Sequence, residues 1–462
     1  RGRQEGLEES IKTLQKSGIE IHKLIVDQYS IHRFAKADIV QNGDVSLYLS
    51  SIFGINSFED IDKVLDLKRQ YPQIDSVCLH HDVTLDSDLK EKGRLLRNNE
   101  IEPIVLASES CIPNCPVRDL HYLWEGMKHP RIPDIFQYFC LTNFHIKKEG
   151  RLFTQKAGFI SPYEVDDFVR ETGINHLKLT GQPGAGRNRP EKQAENMLRA
   201  YLLGEIPDNV YDYTVFTHLN NPQGNPRVNV KTPQNRRNIS IEDITILEQP
   251  TTEEIELGEI AVFANKIDKI YRNGKPICVE YMPHTVKKEI GKIQPNNVHL
   301  VGCGVGQHLE DLLDLNISEI SANDLSPTAI YQAKLKYGSR IGEENIFACP
   351  TQLLPRTTKG KKELVIDIHN LHQISPKQLS PYLGSLSEMG DTLLITYINE
   401  PENGNSRKSY VGNFDIYHHP ISIVDENLKS FELEKKLVYE HSFNIGEKVV
   451  PIQFVGGVFK RK

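Results

Sequence analysis

The stretch "VHLVGCGVGQHLEDLL", residues 298–313, constrains this chain more than any other. An apolar strand runs into Gly302, Gly304 and Gly306 and then into a helix. Glycines at such a turn permit positive φ and let the backbone approach a ligand, while the helix N-terminus offers unpaired amides. About twenty residues further on, "EISANDLSPTAIYQAK" brings Asp324 to the end of the next strand, where a carboxylate can accept both hydroxyl hydrogens of a ribose. Strand, glycine turn, helix and acid together call for a parallel α/β sheet with a ligand at its edge.

Two cofactors share that geometry, a nicotinamide dinucleotide and S-adenosylmethionine. The continuation "NIFACPTQLLP", "KELVIDIHNLHQI" and "LSPYLGSLSEMGDTLLITYINE" resembles the successive motifs of class I S-adenosylmethionine-dependent methyltransferases, over roughly residues 255 to 462. The resemblance implies a seven-stranded sheet, with Gly302, Cys303, Gly304 and Gly306 beside the methionine part of the cofactor and Asp324 and Leu325 at the ribose. It also implies Cys349 to Thr351 near the adenine and Asp367 to Asn370 lining the transfer pocket. Methyl transfer needs mainly an in-line approach, with a base only where the acceptor is protonated. Asp367, His369 and His372 are the available bases.

At 462 residues the chain exceeds the roughly 250 to 300 that one core supports. Up to about residue 215, runs such as "IEIHKLIVDQ", "VSLYLSSI", "IDSVCLHH", "IEPIVLA" and "HLKLTG" read as strands, separated by helical patterns such as "SFEDIDKVLDLKRQY". Repeated strand and helix units favour a parallel barrel. The predicted fold is therefore α/β throughout. A TIM-like (β/α) barrel spans residues 1–217, an Asn, Pro and Gln-rich linker spans 218–252, and a Rossmann-like class I methyltransferase domain spans 253–462. Ile260, Phe263, Ala264, Ile267 and Ile270 predict the helix that opens the last domain.

"CIPNCPVRDLHY" places Cys111 and Cys115 on a loop after a barrel strand. Three intervening residues do not suit a redox pair, and Arg118 stands where a radical S-adenosylmethionine enzyme would need its third cysteine. Thiolates gather zinc or an iron–sulfur cluster, with Cys140 in the strand-like "YFCLTNFH" as the next ligand. "ASESCIPNCPVRDLHY" resembles the cysteine segment of the collagenase-like peptidase U32 family, several members of which hold an iron–sulfur cluster and serve oxygen-independent hydroxylation. That resemblance implies a [4Fe-4S] cluster on Cys111, Cys115 and Cys140, with His121, Glu109 and Lys178 near it. Cys78, Cys278 and Cys303 read as buried apolar residues. In "CLHHD", His80 and His81 are neighbours on a strand and point to opposite faces, so they are not expected to share an ion.

A net charge of −7 argues against a broad nucleic-acid face, leaving RNA as a less favoured partner than a small molecule or peptide. Few cysteines in a long chain, and no apolar run near the roughly 20 residues of a membrane helix, point to a cytoplasmic protein with no membrane partner. The expected function is bifunctional, with hydroxylase-like redox chemistry in the barrel and methyl transfer in the second domain. The alternative leaves all the chemistry to the methyltransferase and makes the barrel a module that binds substrate, a carrier or RNA.

Overall fold

The computed structural model describes Thr13 and residues 22–26, 30–43, 45–50, 54–108, 115–140, 159–179, 190–213, 228–235, 241–246, 248–273, 282–356, 362–398, 407–411, 414–445 and 448–462. They form two compact units. The first comprises Arg1–Pro116 and Gln137–Gly258, and the second comprises Val117–Phe136 and Glu259–Lys462.

The first unit is built on five parallel strands, β1 (Lys23–Val26), β2 (Ser46–Leu49), β3 (Ile74–Cys78), β4 (Glu102–Leu106) and β5 (His176–Lys178), paired in chain order. Alternation along the strands divides the sheet into two faces. Leu47, Leu49, Val77 and Val105 join Ile61 and Val64 of helix Phe58–Gln70, Leu96 of helix Leu89–Arg97 and Phe168 of helix Val165–Thr172 in the main core. Tyr48, Cys78 and Leu106 pack on the other face. Local chemistry sets the helix ends. Ser57 and Asp60 close a capping box at the start of helix Phe58–Gln70, and Gly173, at φ 70°, ends helix Val165–Thr172.

Among the described residues β1 and β5 are edge strands of an open sheet. The expected closed barrel is therefore not what they form, because closure needs about eight strands and a joined pair of edges. Residues 218–252 are also more than a linker, since β6 (Val228–Val230) pairs antiparallel with β7 (Ile244–Ile246). Cys140 ends a helical turn, Ile135–Cys140, rather than a strand.

The second unit carries a seven-stranded sheet made of β8 (Asn297–Val301), β9 (Glu319–Asp324), β10 (Ile346–Ala348), β11 (Lys362–Ile368), β12 (Gly390–Ile398), β15 (Phe431–Ile445) and β16 (Lys448–Arg461). Its order is β10-β9-β8-β11-β12-β16-β15, with β16 antiparallel to both neighbours. A further antiparallel pair, β13 (Arg407–Val411) and β14 (Phe414–His418), lies outside it. β8, β11 and β12 are buried almost without interruption, as strands covered on both faces must be. The order reverses between β8 and β11, and in open parallel sheets that reversal opens a crevice beyond the carboxyl ends of the strands.

Val117–Phe136 belongs to this unit although it lies in the first half of the sequence. Helix Arg118–Met127 packs on helix Pro327–Ile341, Lys128 forms a parallel bridge to Ala348 at the β10 edge, and the His129 ring lies 5.0 Å from that of Phe347. Trp124, the only tryptophan in the chain, is fully buried here.

Candidate functional site

At the reversal, β8 ends in a turn held by backbone geometry that glycine alone adopts readily. Gly302, Gly304 and Gly306 have φ of 63°, 55° and 87°. A Cβ on Gly302 would overlap the Asn370 side-chain amide, and one on Gly306 would lie 2.7 Å from the Tyr337 ring. Cys303 N–H donates to Asn323 O at 2.8 Å, tying the turn to β9, and Gly306 caps helix Gln307–Asp314.

Asp324 closes the turn from the end of β9. Its Oδ2 accepts the Gly304 N–H at 2.9 Å and its Oδ1 accepts the Ser326 N–H at 2.8 Å. A carboxylate offers about four acceptor sites, so capacity remains for a further donor. Burial pushes this carboxyl up to about 6, against those two bonds and helped by the charge of Asp268. Leu325 follows, half-buried. Asp268, fully buried on helix Thr252–Arg272, accepts from Ser326 Oγ at 2.6 Å and Thr328 N–H at 2.9 Å, which fixes the start of helix Pro327–Ile341. The predicted helix at Ile260 to Ile270 is present; the acid within its buried stripe was the sequence signal for this second carboxylate.

Across the reversal, the buried Asp367 pins Asn370. Its Oδ1 accepts Asn370 Nδ2 at 2.9 Å and the Asn370 N–H at 3.2 Å, and its Oδ2 accepts the Tyr382 hydroxyl at 2.9 Å. Asn370 Nδ2 also donates to Val301 O at 2.8 Å, which sets the amide over Gly302. Burial pushes Asp367 up to about 6 despite these bonds. Three acceptor sites of Asp367 are thus taken up in orienting Asn370 and Tyr382.

His369 stands between Asp367 and Asn370 at φ 65°, a conformation costing an ordinary residue about 1 kcal/mol. Its N–H donates to Thr396 O at 2.8 Å, its ring lies 3.9 Å from that of Phe454, and Nε2 is 2.7 Å from Tyr439 Oη. The Tyr439 hydroxyl donates to Thr396 Oγ1 at 2.9 Å, so the pattern assigns the ring proton to Nε2. Sequence reasoning missed Tyr382, Tyr439 and Thr396. Cys349 is buried, donates to Pro350 O and has its thiol pushed well up by burial, so it is an apolar liner and not a nucleophile. Thr351 begins the 3₁₀ turn Thr351–Arg356 beside it. The His372 side chain lies outside the described residues.

The cysteine reading fares differently. Cys111 and Glu109 lie outside the described residues, as does Cys278, while Cys115 and Cys140 are half-buried. Among the described residues no group of three candidate metal ligands contains a cysteine. Lys178 sits with its Nζ 5.6 Å over the Tyr48 ring in the first unit. His121 belongs to the second unit and bonds Asp134 Oδ2 through Nε2 at 2.9 Å. The iron–sulfur centre and the redox activity built on it find no support among the described residues. Cys78 and Cys303 are buried, as expected.

The second unit is thus a doubly wound α/β domain with a glycine turn and an acid at its reversal point, the class of fold that takes nucleotide cofactors. No family model and no curated protein matches the chain, so the U32 resemblance finds no counterpart. Solved structures do. Over 43% of its length the chain is similar to 93% of a protein studied for the conversion of a disulfide bond into a thioacetal group during echinomycin biosynthesis, at 18% identity and a TM-score of 0.36. Over 46% it is similar to 93% of the Burkholderia thailandensis 1,6-didemethyltoxoflavin-N1-methyltransferase, at 16% identity and a TM-score of 0.33. Over 43% it is similar to 98% of an S-adenosylmethionine-dependent methyltransferase from Clostridium acetobutylicum, at 14% identity and a TM-score of 0.29. Among the described residues no helix is long and apolar enough to cross a membrane.

Proposed function

We propose that the second unit binds S-adenosylmethionine and directs its methyl group to a small-molecule or peptide acceptor. The observation that carries this reading is the cradle at the reversal point, where three positive-φ glycines face a buried carboxylate that holds the turn and retains lone pairs for a ribose. When bound, the cofactor supplies a methyl group on a positively charged sulfur. Asp324 accepts the ribose hydroxyls, the Gly302 to Gly306 backbone admits the amino-acid portion, and Thr351 and Cys349 border the base. Asn370, oriented by Asp367 and Tyr382, lines the approach of the acceptor. His369, held by Tyr439 and Phe454, takes the acceptor's proton at Nδ1 where that acceptor carries one.

The test is calorimetric titration of the full chain with S-adenosylhomocysteine and, separately, with NAD⁺. Micromolar binding of the first with none of the second is expected. Binding of NAD⁺ alone would replace this reading with a dehydrogenase, the other cofactor class suited to the turn. The net charge of −7 is the reason to search small molecules and peptides before RNA.

A further inference from the structure

The first unit holds a cluster that methyl transfer does not use. β3 ends at Cys78, and beyond Leu79 the chain leaves the sheet. The His80 N–H donates to Ile55 O at 2.9 Å, and His80 caps the 3₁₀ turn His81–Leu85. Strand alternation has ceased by that point, so the expectation that His80 and His81 face opposite ways does not apply. His80, His81 and Asp82 each offer one donor atom within 4.8 Å of the other two.

His80 Nδ1 is 3.1 Å from Asp82 Oδ2, and His81 Nε2 is 3.6 Å from Asp82 Oδ1. An ion about 2.1 Å from each donor holds neighbouring donors roughly 3.0 to 3.4 Å apart at octahedral or tetrahedral angles. The first pair is already at that spacing and the second needs a movement of a few tenths of an ångström. The Asp82 N–H reaches His80 Nδ1 only at 3.4 Å, a long bond that an incoming ion would displace. An ion seated there would replace the contact that His80 Nδ1 now makes with Asp82. His81 is buried, while the His80 and Asp82 side chains keep 15% and 11% exposure, leaving an entry path.

We propose that His80, His81 and Asp82 bind a divalent first-row transition metal ion. Two imidazoles with one carboxylate favour such ions over Mg²⁺ and Ca²⁺, which prefer all-oxygen shells. Three protein ligands leave a position open to water or a small ligand, as in catalytic rather than closed structural sites. The cluster also lies at the carboxyl end of a parallel strand, the side on which such sheets take ligands. The other three-donor group, His121, Glu125 and Asp134, has a cation on one of its ligands already, since Glu125 pairs with Lys128 at 2.7 Å.

The experiment strips the full chain of metal with a chelator and titrates it with Co²⁺, reading visible absorption, then displaces Co²⁺ with Zn²⁺. One Co²⁺ site is expected, weakened at least about 100-fold in Asp82→Asn and in His80→Gln, beyond what loss of a merely supporting partner costs. Glu125→Gln should bind as the parent does. Should Asp82→Asn not fold, His80→Gln, whose side chain is partly exposed, carries the test. Undiminished Co²⁺ binding in the folded variants, binding abolished by cysteine alkylation, or no Co²⁺ binding at submillimolar concentration would each overturn the proposal. The last outcome would leave a histidine–aspartate contact only.

Discussion

The two parallel sheets of this protein are made of similar strands in different orders. In the first unit β1 to β5 pair in chain order, with no reversal among the described residues, whereas in the second the order turns back between β8 and β11. A parallel sheet without a reversal offers no crevice between diverging connections, and its ligand groups must come from single loops. With a reversal, loops from both directions leave the sheet at one place. The glycine turn after β8, Asp324 after β9 and the Asp367 to Asn370 loop after β11 meet there, linked by bonds from Gly304 to Asp324 and from Asn370 to Val301. The first unit's nearest equivalent, His80 to Asp82, comes from one loop only.

The comparison breaks if the reversal-point glycines are ordinary turn residues. Gly302→Ala puts a methyl group into the Asn370 amide at positive φ, so a loss of about 2 to 4 kcal/mol of stability and more than 100-fold in S-adenosylhomocysteine affinity is expected, measured by chemical unfolding and calorimetry. An intermediate effect comes from pH. Asp324 must be ionised to accept ribose hydroxyls, and its pKa near 6 means that affinity falls by up to about tenfold per unit as pH drops below about 6. Titrations between pH 5 and 8 should show that slope in the parent and a weak, flat response in Asp324→Asn. Stability runs the opposite way. Burial raises Asp324 and Asp367 above their unfolded values, so the native state holds more protons between about pH 4 and 6, and stability declines as pH rises through that window and is level above it. The smallest effect belongs to the first unit. Gly173→Ala, at the αL end of helix Val165–Thr172, should cost about 1 kcal/mol in unfolding experiments while leaving cofactor affinity unchanged.

What could be read from the sequence follows the range of the physics involved. The glycine turn, Asp324 and the Asp367 to Asn370 loop were legible because each depends on local backbone geometry and one strand's length of spacing. Tyr439 and Thr396 were not, since the pair that holds His369 meets through the antiparallel placement of β16 between β12 and β15. Tyr382 was hidden for a similar reason, lying on the buried side of helix Pro376–Met389 among ordinary core residues. In the first half, parallel strands in chain order were legible from repeated strand and helix units, but closure into a barrel was not, because no local pattern records whether the edges join. For His80 and His81 the opposite-faces expectation carried the period-two rule past the point where β3 stops.

The transfer of Val117–Phe136 to the second unit has a consequence for synthesis. Helix Arg118–Met127 leaves the ribosome early, yet the helix Pro327–Ile341 on which it packs emerges some two hundred residues later. During translation this helix waits for its packing partner, although it belongs to the first half of the sequence. A fragment beginning near residue 253 would be missing this segment altogether, leaving the β10 edge and Phe347 uncovered.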